Sequence, residues 1–179
     1  QHQVTQRLDG VAQAAVAAKL ATIYLMDHKP KDALDILTQT RQTGLPDDLN
    51  AQRLMLEARA LAGLRQFDGA LDLIADSETP GAQNLRADIY WQAGNWELAA
   101  GKTEDLLGNR WQATPPLSDD DRLQVMRAAV AYSLANDSVG LKRVHDHFAD
   151  KMKASPDAKA FVALTEQTDA QGLALKDLA

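Results

Sequence analysis

Apolar residues recur at helical spacing along almost the whole chain, and short groups of Pro, Gly, Asn and Asp interrupt them at turn spacing. The first helix is predicted from Val4 to Met26, broken by Asp27-His28-Lys29-Pro30. A partner follows from about Lys31 to Gly44, with Ala33, Leu34, Leu37 and Thr40 on one stripe and a glycine suited to the left-handed turn that ends helices. After Pro46, Leu54, Ala58 and Leu61 form one apolar row and Met55 and Ala62 the next, which predicts a helix buried on two sides. Leu64-Arg65-Gln66 turns it, and Phe67, Ala70, Leu71 and Ile74 line the return as far as Asp76-Ser77-Glu78. Thr79-Pro80 starts the next helix, because threonine caps free amides and proline fits the first helical position.

That helix carries Leu85, Ile89 and Tyr90 and turns at Gly94-Asn95 into another beginning near Trp96. A polar, proline-bearing link from Gly108 to Ser118 follows. Ser118 with Asp121 resembles a capping box, and Leu123, Met126, Ala129 and Val130 give an amphipathic face. Asn136-Asp137-Ser138 turns the chain into a helix with Leu141, Val144 and Phe148. Ser155-Pro156-Asp157 announces a terminal helix with Ala160, Phe161 and Leu164, expected to cover the end of the stack.

Within this pattern a small residue, a large one three places on and a second small one nine places later recur: Ala21-Tyr24-Ala33, Ala58-Leu61-Ala70 and Ala87-Tyr90-Ala99, with a looser copy at Ala129-Tyr132-Leu141. Two antiparallel helices need this when they pack closely, small side chains admitting the approach and a bulky one filling the groove. Phe67 and Trp96, each three residues before a small residue, are expected to plug hairpin corners.

Composition narrows the class. Aromatic residues are only 5% of the chain and alanine is abundant, which suits thin helices better than a strand-rich sandwich; the expected class is all-α. The 19 basic residues against 25 acidic ones, without a basic run, argue against nucleic acid as a partner. The Asp119-Asp120-Asp121 run is read as a helix-start feature offsetting the dipole. Absence of cysteine removes thiolate chemistry and disulfides, and leaves periplasm or envelope and cytoplasm both open. No stretch has the length of a membrane span, so direct membrane insertion is not expected. The Gln1-His2-Gln3 start, without an initiator Met, suggests a piece of something longer.

The residues Leu20-Ala21-Thr22-Ile23-Tyr24 with Ala33 and Leu37, Ala58-Arg59-Ala60-Leu61 with Phe67, Ala70 and Ile74, and Ala87-Asp88-Ile89-Tyr90 with Gly94-Asn95-Trp96 and Ala99 resemble the tetratricopeptide-repeat (TPR) family. The resemblance covers about Ala14 to Phe148. It implies a right-handed α-solenoid of antiparallel hairpins, about 14–44, 47–76, 80–108 and 119–152, with a terminal helix 156–166, all in one domain over 1–167; 168–179 is expected to be a weakly ordered tail. The repeats are degenerate: the second small residue recurs at 37, 29 and 42 residues (Ala33 to Ala70, Ala70 to Ala99, Ala99 to Leu141), where the family has about 34. Leu141 stands where a small residue belongs, and Thr103 where a large apolar one does. A fragment of a larger bacterial protein, similar to envelope and scaffold proteins with degenerate repeats, is the expected context.

In the family the first helix of each hairpin lines the concave surface. That places Thr22, Leu25 and Met26, Arg59, Asp88, Trp91 and Gln92, and Val130 and Ser133 inward, and makes the first seven the candidates for binding a partner, Trp91 foremost. The partner is expected to be another protein or a second copy. Ala18 and Thr22 stand where family members that clamp C-terminal carboxylates carry Lys and Asn, which disfavours that subclass.

Catalysis is not expected: there is no glycine-rich phosphate loop and no serine elbow, and carboxylates such as Asp72 and Asp76 read as a solvated face. No cofactor or metal is expected either, His145 and His147 being two apart and so about 200° apart around a helix. Trp111 in the proline-bearing link is expected to fold back and cover a gap between hairpins. The alternative functional readings are a structural spacer or self-association module of an envelope protein, and an accessory repeat domain of an enzyme whose catalytic part lies elsewhere.

Overall fold

The computed structural model describes residues 10–166, and among them it contains helices and no strand. The elements are α1 (Gly10–Met26), α2 (Pro30–Gln39), α3 (Asp47–Gly63), α4 (Phe67–Leu73), α5 (Pro80–Ala93), α6 (Trp96–Leu107), a 3-10 turn (Arg110–Gln112), α7 (Asp119–Leu134) and α8 (Ser138–Met152), followed by α9 (158–166). The chain is thus all-α. The predicted start of the first helix at Val4 and the tail 168–179 lie outside the described residues.

The hairpin corners repeat at the level of the backbone. Counting from the large residue of each copy (Tyr24, Leu61, Tyr90, Tyr132), the fourth residue on has positive φ in every case: His28 at 54°, Arg65 at 62°, Gly94 at 73° and Asn136 at 55°. The amide of the fifth (Lys29, Gln66, Asn95, Asp137) donates to the carbonyl of the large residue at 2.8–3.0 Å. The carbonyl of that fifth residue then accepts from the amide at the second small position, Ala33, Ala70, Ala99 or Leu141. One left-handed residue therefore ends the first helix of each hairpin and the next residue caps the second. Only Gly94 and Asn136 are residues that adopt this conformation cheaply.

The described chain divides into two compact units, with the division between Leu85 and Arg86, inside α5. In the first unit α1 packs on α2 and α3, and α3 on α2 and α4. Ala17, Ala18, Ala21, Ala33 and Ala60 are buried with Leu20, Ile36, Leu37 and Leu56, so small side chains make up much of the seam, as the small-large-small pattern requires. At Gly63 a Cβ would stand 2.8 Å from Pro30, so the end of α3 approaches the start of α2 as only glycine allows. Helix α2 stops at Gln39, short of the predicted Gly44. Thr40 turns its hydroxyl back onto the Ile36 carbonyl at 2.6 Å, and Arg53 from α3 occupies the space beyond the helix end. Gly44 is left-handed as expected, within the connection rather than at the helix terminus. Helix α4 likewise closes early, at Leu73.

In the second unit α6 packs on α7 and α7 on α8, around buried Ala99, Ala100, Ala128, Ala129 and Ala131 with Leu141, Val144, Phe148 and Met152. Ser118 and Asp121 form the full capping box. Thr103 is buried and satisfies its hydroxyl on the Ala99 carbonyl at 2.7 Å, which explains how a polar residue occupies an apolar position. The 108–118 link folds back as expected: Trp111 packs against the core and stacks on His147 with ring centroids 4.3 Å apart, while Lys151 donates to the Ala113 and Pro115 carbonyls. Helix α9 buries Phe161 and Thr165, whereas Ala160, predicted on the same face, is exposed.

Three helices of this unit meet in a polar clasp. Glu104 of α6 accepts from Arg143 Nε and Nη2 of α8 at 2.8 and 2.7 Å and from the Tyr132 hydroxyl of α7 at 2.6 Å, and Arg143 also donates to Tyr132 Oη at 2.8 Å. Burial works against the charged carboxylate, but the bonds from Arg143 and Tyr132 and the charge of Arg143 outweigh it and hold Glu104 below its usual 4.5. Burial and the neighbouring Glu104 push the Tyr132 phenol up. A carboxyl with a depressed folded-state pKa contributes stability above its unfolded value and loses it as pH falls through the folded one. The unit is expected to weaken as pH drops below about 4.5, and Glu104→Gln to flatten that part of the curve. At neutral pH the variant should cost about 1–2 kcal/mol, Arg143 being partly exposed. Chemical denaturation of both proteins between neutral pH and about pH 3 checks this; parallel curves would mean that the clasp does not carry the acid response.

Candidate interaction face

The seven sequence candidates separate by unit. In the first, Thr22 and Met26 are exposed on α1, Met26 at 77%, while Leu25 packs against the buried core. Thr22 spends its hydroxyl on the Ala18 carbonyl at 3.0 Å. Arg59 is exposed on α3. Ile23, exposed at 55%, joins Met26 as a second large apolar residue at that end of α1.

The second unit brings its candidates together. Asp88 and Trp91 are one helical turn apart on α5, and Arg127 of α7 reaches both: its Nη2 donates to Asp88 Oδ1 at 2.7 Å, and its guanidinium carbon lies 5.2 Å from the centre of the Trp91 ring. Trp91 also meets Trp96 edge-on, centroids 5.3 Å apart, and rests on the core, so its ring is half-buried rather than free. Gln92 beside it is exposed.

Arg127 lies on a stripe of α7 at helical spacing with Leu123, Val130 and Leu134. Leu123 and Leu134 are exposed at 58% and 48%, Val130 is half-buried and Ser133 exposed. The result is a face of α5 and α7 with apolar side chains along one helix and an ordered Asp-Arg-Trp group beside it. A charge pair and an aromatic ring thus stand on the same face as two exposed leucines. Of the residues on this face, the sequence offered Asp88 and Trp91 as candidates and Val130 and Ser133 as inward-facing positions. It missed Arg127, whose place follows from the α7 periodicity but whose partners are 39 and 36 residues earlier in the chain.

The histidines also have partners that spacing did not reveal. His147 stacks on Trp111, and His145 stacks on Phe161 with its Nδ1 2.7 Å from the Thr165 hydroxyl, tying α9 to α8. Among the described residues no group of three or more His, Cys, Asp or Glu side chains is arranged to hold a metal ion, and no helix is long and apolar enough to cross a membrane. Compared with known proteins, the chain matches no family, no curated protein and no solved structure.

Proposed function

We propose that this chain is a protein–protein interaction scaffold built from TPR-like hairpins, without catalytic activity of its own, and that the α5/α7 face of the second unit is where another protein or a second copy docks. The observation that carries the reading is the exposed Leu123/Leu134 stripe beside the Asp88–Arg127–Trp91 group. Two exposed leucines on a face that also carries Trp91 and Arg127 offer apolar area that a partner would desolvate, with Trp and Arg the residue types that most often anchor such contacts. The four equivalent corners support the repeat resemblance. Apolar contact would supply the affinity, and Asp88 and Arg127 the orientation.

Leu123→Asp with Leu134→Asp tests it. Both side chains are exposed, so helicity and melting temperature should hold, while capture of a partner in pull-down, or self-association in sedimentation over a range of concentrations, should weaken by about tenfold or more. Unchanged capture and unchanged mass would remove this face from the function. Trp91→Ala is the less clean change, because the ring supports the core as well as Arg127.

A further inference from the structure

The Leu123, Arg127, Val130, Leu134 stripe of α7 is symmetric about its own midpoint. Its spacing of four, three and four residues keeps all four side chains on one side of the helix, as along the seam of a coiled coil. The pair Leu123 and Leu134 and the pair Arg127 and Val130 share one centre, between Ala128 and Ala129. Taking the α5/α7 face as the docking surface, we infer that its occupant is a second copy of this chain. The two α7 helices pack antiparallel about a two-fold axis, Leu123 against Leu134 of the second copy.

A two-fold contact requires a surface that accepts what it presents. In this register exposed leucine meets exposed leucine at both ends of the stripe, and Arg127 lies beside Val130 in the middle. Charge meets the same requirement. The chain carries a net −6, so two copies repel each other at long range and must close where the surface is locally neutral. On this face Asp88 and Arg127 cancel, and Leu123, Val130 and Leu134 carry no charge. The Arg127 side chain is 25% exposed and already holds Asp88 at 2.7 Å, so the contact covers a neutral pair and not a free cation. A strongly basic or strongly acidic protein finds no excess of opposite charge here, whereas a copy of the chain finds the place where its own charge does not oppose it. Helix α7 has 16 residues and is about 24 Å long, so one antiparallel helix pair lies at the small end of specific interfaces, with an expected dissociation constant of about 10–100 µM.

Sedimentation of the full chain from about 5 to 500 µM should show a passage from monomer to dimer. Leu123→Glu and Leu134→Lys, each alone, should weaken dimerisation about tenfold or more, because either change disturbs both leucine contacts of the dimer. Combined in one chain, the two should dimerise about fivefold more tightly than either alone, since the antiparallel register sets the new carboxylate against the new ammonium of the second copy, twice. Within one chain these positions are about 16 Å apart along α7, too far to pair, so the recovery has to come from the second copy. It should fade at about 1 M salt. Both changes suit the helix dipole, the carboxylate near the start of α7 and the cation in its last turn, and circular dichroism should show every variant folded. A parent chain that stays monomeric to about 500 µM would overturn the second copy as occupant and leave the face to a different protein, which the Leu123→Asp/Leu134→Asp capture experiment tests separately. A dimer unmoved by either single change lies on another surface, and a combined variant no tighter than the singles lacks the antiparallel register; each result overturns the proposal.

Discussion

Replacing Arg53 with Met is expected to destabilise the first unit by about 3 kcal/mol. Arg53 is buried, with 7% of the residue exposed. Its Nη1 donates to the Ala14 carbonyl at 2.9 Å, and its Nη2 to the carbonyls of Leu37 at 2.7 Å and Thr40 at 3.1 Å and to the Thr40 hydroxyl at 3.2 Å. Leu37 and Thr40 close α2, whose last turn has no basic residue of its own, so α3 supplies the cation that the negative end of that helix favours. Burial pulls the guanidinium below its usual value and Glu57 partly restores it, and the group stays charged. Methionine keeps the apolar stem and takes the donor from the Leu37 and Thr40 carbonyls at the end of α2, at about 1–3 kcal/mol for each that water does not reach, while the Ala14 carbonyl, inside α1, keeps its helical partner. Arg53 also lines an open recess of about 700 Å³, so water will recover part of that cost. Arg53→Lys should recover only part of the stability, because one ammonium does not span α1 and the end of α2 together. Urea denaturation measures both; a loss below about 1 kcal/mol for Arg53→Met would show that solvent in the recess replaces the guanidinium.

Arg53 illustrates which features the sequence reveals and which it does not. Helix positions follow from local chemistry: Thr79-Pro80, Gly94-Asn95, Ser118 with Asp121 and Asn136-Asp137 each mark an observed boundary, because caps and turns depend on residues within four places of one another. The all-α class follows from the same periodicity. Arg53 is polar on an amphipathic helix, and nothing nearby distinguishes it from a solvated residue such as Arg59; its acceptors come from α1 and α2, 13 to 39 residues earlier. The early end of α2 has the same origin, since the helix is closed by a side chain from α3. At the candidate face, family position selected Asp88 and Trp91, while the guanidinium that organises them, Arg127, required the packing of α7. The histidine contacts were not legible for a further reason: spacing along α8 says nothing about the rings that meet His147 and His145, which come from other elements, Trp111 and Phe161.

The fourth corner gives the other large effect, because the small residue that the pattern lacks at Leu141 is supplied one place earlier. Leu141 is buried, and Gly140 meets the large residue of its copy: a Cβ at Gly140 would lie 2.4 Å from Tyr132 Cδ1 and Cε1 and 2.7 Å from Asp137 Oδ2. None of these can readily give way. The Tyr132 hydroxyl is bonded to Glu104 and Arg143, and Asp137 Oδ1 caps α8 by accepting from the Gly140 amide at 2.9 Å. Gly140→Ala therefore trades a helix-propensity gain of up to about 1 kcal/mol for overpacking of about 1–3 kcal/mol and a disturbed cap, and the net loss is expected near 2 kcal/mol. Tyr132→Leu removes the ring that the methyl would strike, so Gly140→Ala made in that background should cost less than half as much. A double-mutant cycle by chemical denaturation reads the difference directly. If Gly140→Ala is neutral in the parent protein, or equally costly in both backgrounds, the ring contact is not what requires glycine at this corner.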